Sequence, residues 1–386
     1  MKRIRLAVVT DAIAPWYKGG KEMRYGEILS RLPDEGFDIT VYTMKWWLSA
    51  PPLEENAKGS LRYKAICPKF ELYRKGRRSI VQALVFALST LRLLFVGMDA
   101  IEADQMPYLQ LVPLKLVAVV RRVPLVVTWH EVWGAGYWKK YLGRFGVIAA
   151  AIEKLCTKLP TRVVAVSEAV RNDLIELGMT PEKVVVAQNA VDAAMMTNVE
   201  MNPEGSALLF VGRLLSHKRC DLAVMALREV RDKGYNVRLG VIGRGPEWSN
   251  LVEQADALGI SDFVTFHGTF DTQDEVWSYM KAAKVLVFPS EREGFGLTVA
   301  EALLSGTPAV VVDADDNASR KLVAPGVSGS VVPPGDVLAI AQEIAHWLDK
   351  DTDRGAISRQ VLVEHPEMSW GSTVTCYSQL LREVVR

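Results

Sequence analysis

Residues 288–312 read F-P-S-E-R-E-G-F-G-L-T-V-A-E-A-L-L-S-G-T-P-A-V-V-V, and the fold is read outward from this stretch. The apolar run 285–288 predicts a buried strand, which Pro289 and Ser290 end. Glu293-Gly294-Phe295-Gly296 is a glycine-rich turn. Residues 297–304 have the composition of a helix, stopped by Gly306 and Pro308. Residues 309–312 predict the next strand. The whole is a β–loop–α–β unit with the pattern of a parallel sheet. Its loop points free backbone N–H groups at whatever sits on the helix N-terminus, which suits a phosphate.

Two carboxylates frame the unit. Glu293 lies in the loop and Glu301 in the second turn of the helix, so both can face a ligand over the helix start. A phosphate there needs cations and N–H groups, whereas acids suit neutral hydroxyls. One reading is a polyhydroxylated ligand carrying phosphate, with carboxylates on sugar hydroxyls and N–H groups on the phosphates. The other is a pair of solvated acids favoured by the helix dipole. The spacing alone leaves both open.

The stretch resembles the E-x7-E signature of retaining glycosyltransferases of the family-4 type, which have the GT-B fold. The resemblance implies roles residue by residue. Glu293 would contact the donor sugar, and Glu301 would bind the ribose hydroxyls of the nucleotide. Amides around Gly296, Leu297 and Thr298 would hold the diphosphate. The fold it implies is α/β, with two Rossmann-like domains facing a central cleft, the nucleotide against the second and the acceptor against the first.

Composition sets wider bounds. A length of 386 residues favours two domains over one. A hydrophobic content of 49% with 24% charged residues supports large cores. A net charge of +1 gives no whole-chain case for a nucleic-acid partner. Cys67, Cys156, Cys220 and Cys376 lack C-x-x-C spacing, which suggests neither a disulfide framework nor a zinc site and fits a reducing, cytoplasmic compartment. The apolar run 6–9 is short for a signal peptide and predicts the first strand. The longest apolar stretch, 80–96, carries Gln82, Ser89 and Arg92, which share a stripe with Arg78. It predicts an amphipathic helix covering a sheet rather than a membrane span, which needs roughly 20 apolar residues.

The first half then reads as follows. Strand 4–9, the loop Lys18-Gly19-Gly20-Lys21 and helix 22–32 have the geometry of a phosphate cradle. Many Gly-Gly pairs are plain turns, but this one matches the family's donor-side glycine loop, so Gly19 and Gly20 are substrate-binding candidates. Residues 39–43 predict a strand, and 44–56, with Trp46 and Trp47, a binding loop. Residues 69–78 are basic with interleaved aromatics: a solvated loop, or a segment attracted to an anionic acceptor or lipid headgroups. Strands 100–103 and 125–128 enclose an apolar helix, 109–120. His130 follows the second strand, where doubly wound folds place ligands; a structural buried histidine is the alternative. The resemblance implies that His130-Glu131 lies near the donor sugar and phosphate. Residues 136–158 are basic and amphipathic, through core packing or through peripheral membrane contact. Asn189-Ala190-Val191-Asp192 resembles the family's N-G-V-D turn, with Ala190 in the place of glycine.

Residues 193–206 lack periodicity and are the linker candidate. After strand 207–211, Arg213 and Lys218 stand five residues apart in one loop. They can pair two phosphate groups or be plain surface charge, and G-R-L…K resembles the family's pattern. Gly243-Arg244-Gly245 follows strand 238–242, but Trp248 holds the place of the third glycine of a dinucleotide fingerprint. The resemblance implies that Gly243 and Gly245 line the base and ribose. Asp313-Ala314-Asp315 looks like a metal motif but is read as non-metal, since the fold resembled does not use one. Residues 369–385 predict a helix, which in the family crosses back to the first domain.

These readings give an acceptor domain 1–195, a nucleotide-sugar domain 206–368 and a crossing helix 369–386. The expected activity is retaining transfer of a glycosyl unit from a nucleotide-diphosphate sugar to a glycan or lipid-linked acceptor. Glu293, His130, Arg213 and Lys218 are the expected catalytic residues, with no metal, no other cofactor and no nucleic acid. Peripheral contact with the inner face of a membrane is part of the expectation. Three alternatives stay open: a sugar-nucleotide-processing relative such as an epimerase, a catalytically silent nucleotide-sugar-binding protein, and an NAD-dependent oxidoreductase, which the incomplete fingerprint weakens.

Overall fold

A computed structural model of the chain describes residues 3–17, 19–49, 54–55, 58–74, 77–366 and 368–385. The chain divides into two compact units, Met1–Ala190 with Trp370–Arg386, and Val191–Ser369. The first holds β1 (Ile4–Val9), β2 (Phe37–Met44), β3 (Glu54–Glu55), β4 (Ser60–Cys67), the hairpin β5 (Tyr73–Arg74) and β6 (Arg77–Arg78), β7 (Ala100–Asp104), β8 (Leu125–Trp129), β9 (Arg162–Ala165) and β10 (Val184–Val186). The second holds β11 (Leu208–Val211), β12 (Leu239–Ile242), β13 (Val264–Gly268), β14 (Val285–Phe288), β15 (Ala309–Val312) and β16 (Gly329–Val332).

The first sheet runs β10-β9-β8-β7-β1-β2-β4, all parallel, with the two-residue β3 antiparallel at its edge. The second runs β13-β12-β11-β14-β15-β16, all parallel. Both are doubly wound. The winding reverses once in each unit, between β1 and β7 and between β11 and β14. Loops leaving the two strands at such a point part to opposite faces and open a crevice at the strands' carboxyl ends.

Parallel strands buried on both faces need near-continuous apolar sequence, which L-L-F-V, V-L-V-F and A-V-V-V supply. In the first unit, Val9, Ile101 and Val127 face one core with helices Ile80–Ser89, Leu111–Arg121 and Gly146–Cys156. Leu6, Val8 and Ile39 face the other with helices Gly20–Arg31 and Trp370–Val385. Helix starts follow their sequence signals: Ser79, Ser167, Asp336 and Asp353 cap with their side chains, and Thr272 with Glu275 forms a full capping box.

The structure differs from the sequence reading in three places. No strand is expected between 44 and 100, yet β4 pairs with β2 along residues 60–67. Its centre, R-Y-K-A, is polar and largely exposed, so neither an apolar run nor a clean alternation marks it. The predicted helix 80–96 ends at Ser89 and tightens into a 3-10 turn, Thr90–Phe95. Its polar stripe divides: Gln82 is buried and Arg92 is exposed, while Ile80, Val81, Leu84 and Leu88 are exposed as well. Residues 193–206, read as irregular, contain a short helix, Ala193–Thr197, tied to the second unit by Lys281 Nζ, which donates to the Thr197 and Val199 carbonyls. Lys18, and residues 50–53, 56–57 and 75–76 within the loops read over 44–56 and 69–78, lie outside the described residues.

Gly243 shows how tightly the crevice loops of the second unit pack. It turns the chain after β12 at φ +142. Gly212 N donates to the Ile242 carbonyl at 2.9 Å, and Gly243 N to the Gly268 carbonyl at 2.6 Å. A Cβ on Gly243 would sit 1.9 Å from the Gly212 oxygen. Gly243→Ala should therefore cost about 3 kcal/mol or more, from overpacking and backbone strain together. Gly136→Ala, in an exposed helix with nothing near its Cβ, should gain about 0.5–1 kcal/mol. Urea unfolding of both variants checks the contrast, and equal midpoints would refute it.

Candidate functional site

In the second unit the crevice lies between the loops after β11 and β14. The first loop carries Arg213 and turns through Ser216–Lys218. The second carries Glu291 and Glu293. Three contacts tie them together. Glu291 N donates to the His217 carbonyl at 2.9 Å. Arg219 Nη1 pairs with Glu291 at 2.5 Å. Lys218 Nζ pairs with Glu293 Oε1 at 2.5 Å, and both side chains are mostly buried, 18% and 11% exposed. Lys218 also lies 5.5 Å from the centre of the Phe288 ring. Two sequence-predicted residues, 75 positions apart, thus meet as an ion pair.

Glu293 is held from its backbone as well. Its N–H donates to the Asp316 carbonyl and its carbonyl accepts from Ala318, each at 2.9 Å. Three residues on, Gly296 stands at φ +96 and opens helix Leu297–Leu304 without a side-chain cap. A Cβ there would lie 2.2 Å from Ser319 Cβ, so only glycine fits. The first-turn amides at Leu297 and Thr298 consequently meet the crevice uncapped. Gly245 serves packing too: a Cβ on it would come within 2.2 Å of the Leu214 carbonyl oxygen. Asp313, part of the motif that looks like a metal site, pairs with Arg320.

Glu301 sits one helical turn further on. Gln273 Nε2 and Trp277 Nε1 both donate to its Oε1, at 2.8 and 3.3 Å. Oε2 has no partner among the described residues. Burial pushes the carboxyl up to about 7, and the Trp277 hydrogen bond only partly offsets this. One oxygen is thereby positioned, and the other is left able to accept from hydroxyl donors.

The first unit has its own crevice, and its central residues escape the sequence reading. Asp11 follows β1 and Asp104 ends β7. Lys21 Nζ bridges them, 3.1 Å from Asp11 Oδ1 and 2.9 Å from Asp104 Oδ2. Thr10 Oγ1 donates to Asp104 at 2.5 Å, and Gln82 Nε2 to Asp11 at 3.1 Å. Arg78, read as part of a stretch either solvated or attracted to an anionic acceptor or lipid headgroups, turns its guanidinium onto Asp11. Burial opposes these charges, yet Arg78 and Lys21 hold Asp11 below its ordinary value. The available signal is an acid at the carboxyl end of two apolar strands. Gly19 and Gly20 open the helix that carries Lys21, again without a side-chain cap.

His130 follows β8, its N–H donating to Gln105 Oε1 at 3.1 Å. Its Nε2 is buried and has no hydrogen-bond partner among the described residues. Burial first, then the Arg24 and Lys21 charges, hold its pKa well below the ordinary value, so the ring is neutral. Glu131 turns to Trp133, accepting from its indole N–H at 2.6 Å. Behind this crevice, Glu102 Oε1 accepts from Tyr25 at 2.8 Å and Thr128 at 2.7 Å, and Thr128 Oγ1 meets Tyr377 OH at 2.9 Å. That network fastens the C-terminal helix to the first unit.

Comparison with known proteins shows the family and the fold. A family model described as glycosyl transferases group 1 matches residues 195–362, and one described as Glycosyltransferase Family 4 matches residues 18–194. A D-inositol 3-phosphate glycosyltransferase from Frankia alni is 34% identical over 55% of this chain and 56% of its own length. The chain spans about half the length of the relatives it matches in this way. Among solved structures, Anabaena HepE in complex with UDP and glucose superposes with a TM-score of 0.74 at 19% identity, covering 99% of this chain and 100% of that one. Sucrose-phosphate synthase from Thermosynechococcus elongatus gives 0.75 at 18% identity, covering 99% of each chain. These are GT-B structures, and the two-domain α/β fold is the same.

The raised Glu301 has a consequence for stability. Below about 4.5 the carboxyl is protonated in both folded and unfolded chains. Between about 4.5 and 7 the folded chain keeps a proton that the unfolded chain has lost, so stability falls as pH rises through that window. Glu301→Gln removes the effect. Its melting temperature relative to wild type should climb from pH 5 to pH 7.5, roughly across those two values. A flat or falling difference would show that burial does not strain this carboxylate.

Proposed function

The chain belongs to the glycosyltransferases of the family-4 type, and from that premise we propose that it moves a glycosyl unit from a nucleotide-diphosphate sugar to a glycan or lipid-linked acceptor, with retention at the anomeric carbon. The observation that carries the reading is the Lys218–Glu293 pair at the reversal point of the second sheet, beside an uncapped helix start. A cation and free amides suit a diphosphate, and an acid suits sugar hydroxyls. The UDP bound in the Anabaena structure makes uridine the first base to test.

On arrival of the donor, Lys218 turns from Glu293 to the phosphates and Glu293 is released to the sugar. Arg213, Lys218 and the amides at Leu297 and Thr298 stabilise the charge that grows on the departing diphosphate, with no metal ion. Glu301 Oε2 takes the ribose hydroxyls, and Gly243 and Gly245 let the backbone lie close to the base. In the first unit, the buried Nε2 of neutral His130 suits a hydroxyl donor, and the uncapped Gly19–Gly20 helix start suits a phosphate. The acceptor hydroxyl attacks from the face the diphosphate leaves. Its oxygen bonds to the anomeric carbon while its proton passes to a phosphate oxygen of the leaving group.

Release of nucleoside diphosphate from a panel of donors, with and without membrane extract, tests the reading, and no release from any donor would overturn it. With the active donor, Arg213→Ala and Lys218→Ala should each lower kcat by roughly 10²–10³. Wild-type turnover in both would remove the assignment. Glu301→Gln should chiefly raise the donor KM, because ribose is bound alike in ground and transition states. A fall in kcat with KM unmoved would show another role.

A further inference from the structure

The two faces of the first sheet carry very different outer surfaces. On one, helices Gly20–Arg31 and Trp370–Val385 expose no large hydrophobic side chain among the described residues. On the other, helices Ile80–Ser89, Leu111–Arg121 and Gly146–Cys156 do, while helix Glu168–Glu176, which packs Val170 and Leu174 into the same core, exposes none among the described residues. Helix Ile80–Ser89 exposes Ile80, Val81, Leu84 and Leu88, and Phe95 beyond it is 91% exposed. Helix Leu111–Arg121 exposes Val112, Leu116, Val119 and Val120. At the third, Phe145, Val147, Ile148 and Leu155 are exposed. The first two helices pack side by side, and the inner sides of all three share one core. Isolated exposed hydrophobics are ordinary; this many on one layer mark an interaction surface.

Along helices Leu111–Arg121 and Gly146–Cys156 and the segment joining them, the exposed charge has one sign. Residues 105–159 hold eight Lys or Arg and two acids. Neither acid reaches solvent freely. Glu153 is fully buried, accepting from Tyr108 OH at 2.6 Å and from Trp138 Nε1 at 2.9 Å. Glu131 is half-buried against Trp133. Lys139, Lys140, Arg144, Lys154 and Lys158 are exposed, without an exposed acid among them.

We propose that this helical layer is a docking surface for an anionic lipid bilayer, lying on the membrane with its apolar side chains among the headgroups and acyl chains. The surface is apolar and cationic at once, and an anionic bilayer complements both properties. A second copy would set cations against cations. Nucleic acid would satisfy the charge but leave the aliphatic side chains in contact with phosphate and sugar. No helix among the described residues is long and apolar enough to cross a membrane, so the layer lies on the bilayer and does not span it. The inference goes beyond the transfer reaction and does not depend on it.

Flotation of the full chain with vesicles tests it. Wild type should float with vesicles of phosphatidylcholine mixed with phosphatidylglycerol at low salt and stay at the bottom with phosphatidylcholine alone. The triple variant Lys139→Gln, Lys140→Gln, Arg144→Gln loses about 1 kcal/mol per charge, so its partitioning should fall on the order of a hundredfold. Leu84→Asp with Leu88→Asp should weaken it at least about tenfold. All five side chains are exposed, so circular dichroism should match wild type, and nucleoside diphosphate release in solution should be unchanged. The proposal is overturned if wild type never floats, or if it floats and both variants float equally. It is also overturned if sedimentation shows a dimer that Leu84→Asp with Leu88→Asp dissociates, since a second copy then covers the face.

Discussion

Two loops leave β11 and β14 toward opposite faces of the second sheet, and the Lys218–Glu293 ion pair joins them where they part. A mostly buried pair gains little net stability, because desolvation cancels much of the attraction. What it supplies is position. Each charge holds the other at the mouth of the crevice, so the site carries balanced charge before a ligand arrives. A diphosphate can then replace the carboxylate as partner of the lysine, which leaves the carboxylate to hydroxyl donors. Glycine at 243, 245 and 296 follows from the same crowding, since each admits a neighbouring backbone or side chain where a Cβ would collide.

The first unit solves a similar problem with more charge. Lys21, Arg78, Asp11 and Asp104 satisfy one another at the ends of β1 and β7. Removing any one leaves a buried partner uncompensated, which is why such clusters specify geometry more than they add stability. Burial first, and then the cations Arg24 and Lys21 of this region, keep His130 neutral. Arg24 in turn is buried and donates to the Ala187 and Gln188 carbonyls and to Asn189 Oδ1, fixing the turn that ends the first unit. The helix start at Gly19 and Gly20, the histidine and the unit boundary therefore rest on one polar framework.

Much of this was legible in the chain because local signals and tertiary demands agreed. The apolar runs, Gly296 and the helix stop at Gly306 place β14, helix Leu297–Leu304 and β15 where the sequence puts them. Legibility failed where a residue's role depends on a distant partner. Ser60–Cys67 becomes a strand only because β2 offers an edge, and its polar centre hides it. The stretch from Ile80 shows two faces to any periodicity measure, but not which faces inward; Asp11 decides that by drawing in Gln82 and Arg78. Lys21 stands in the glycine loop with no local sign of its role, because its partner Asp104 lies 83 residues away.

The account's central claim is that Lys218 is the diphosphate's cation and that Glu293 holds its place until the donor binds. Calorimetric titration of the nucleoside diphosphate released by the enzyme, into wild type and Glu293→Gln, tests this most directly. The product lacks the sugar that Glu293 would contact, so only the charge effect is read. Glu293→Gln should bind it more tightly, by about tenfold or roughly 1.4 kcal/mol, because the lysine is freed and a nearby negative charge is gone. Unchanged or weaker binding would contradict the account.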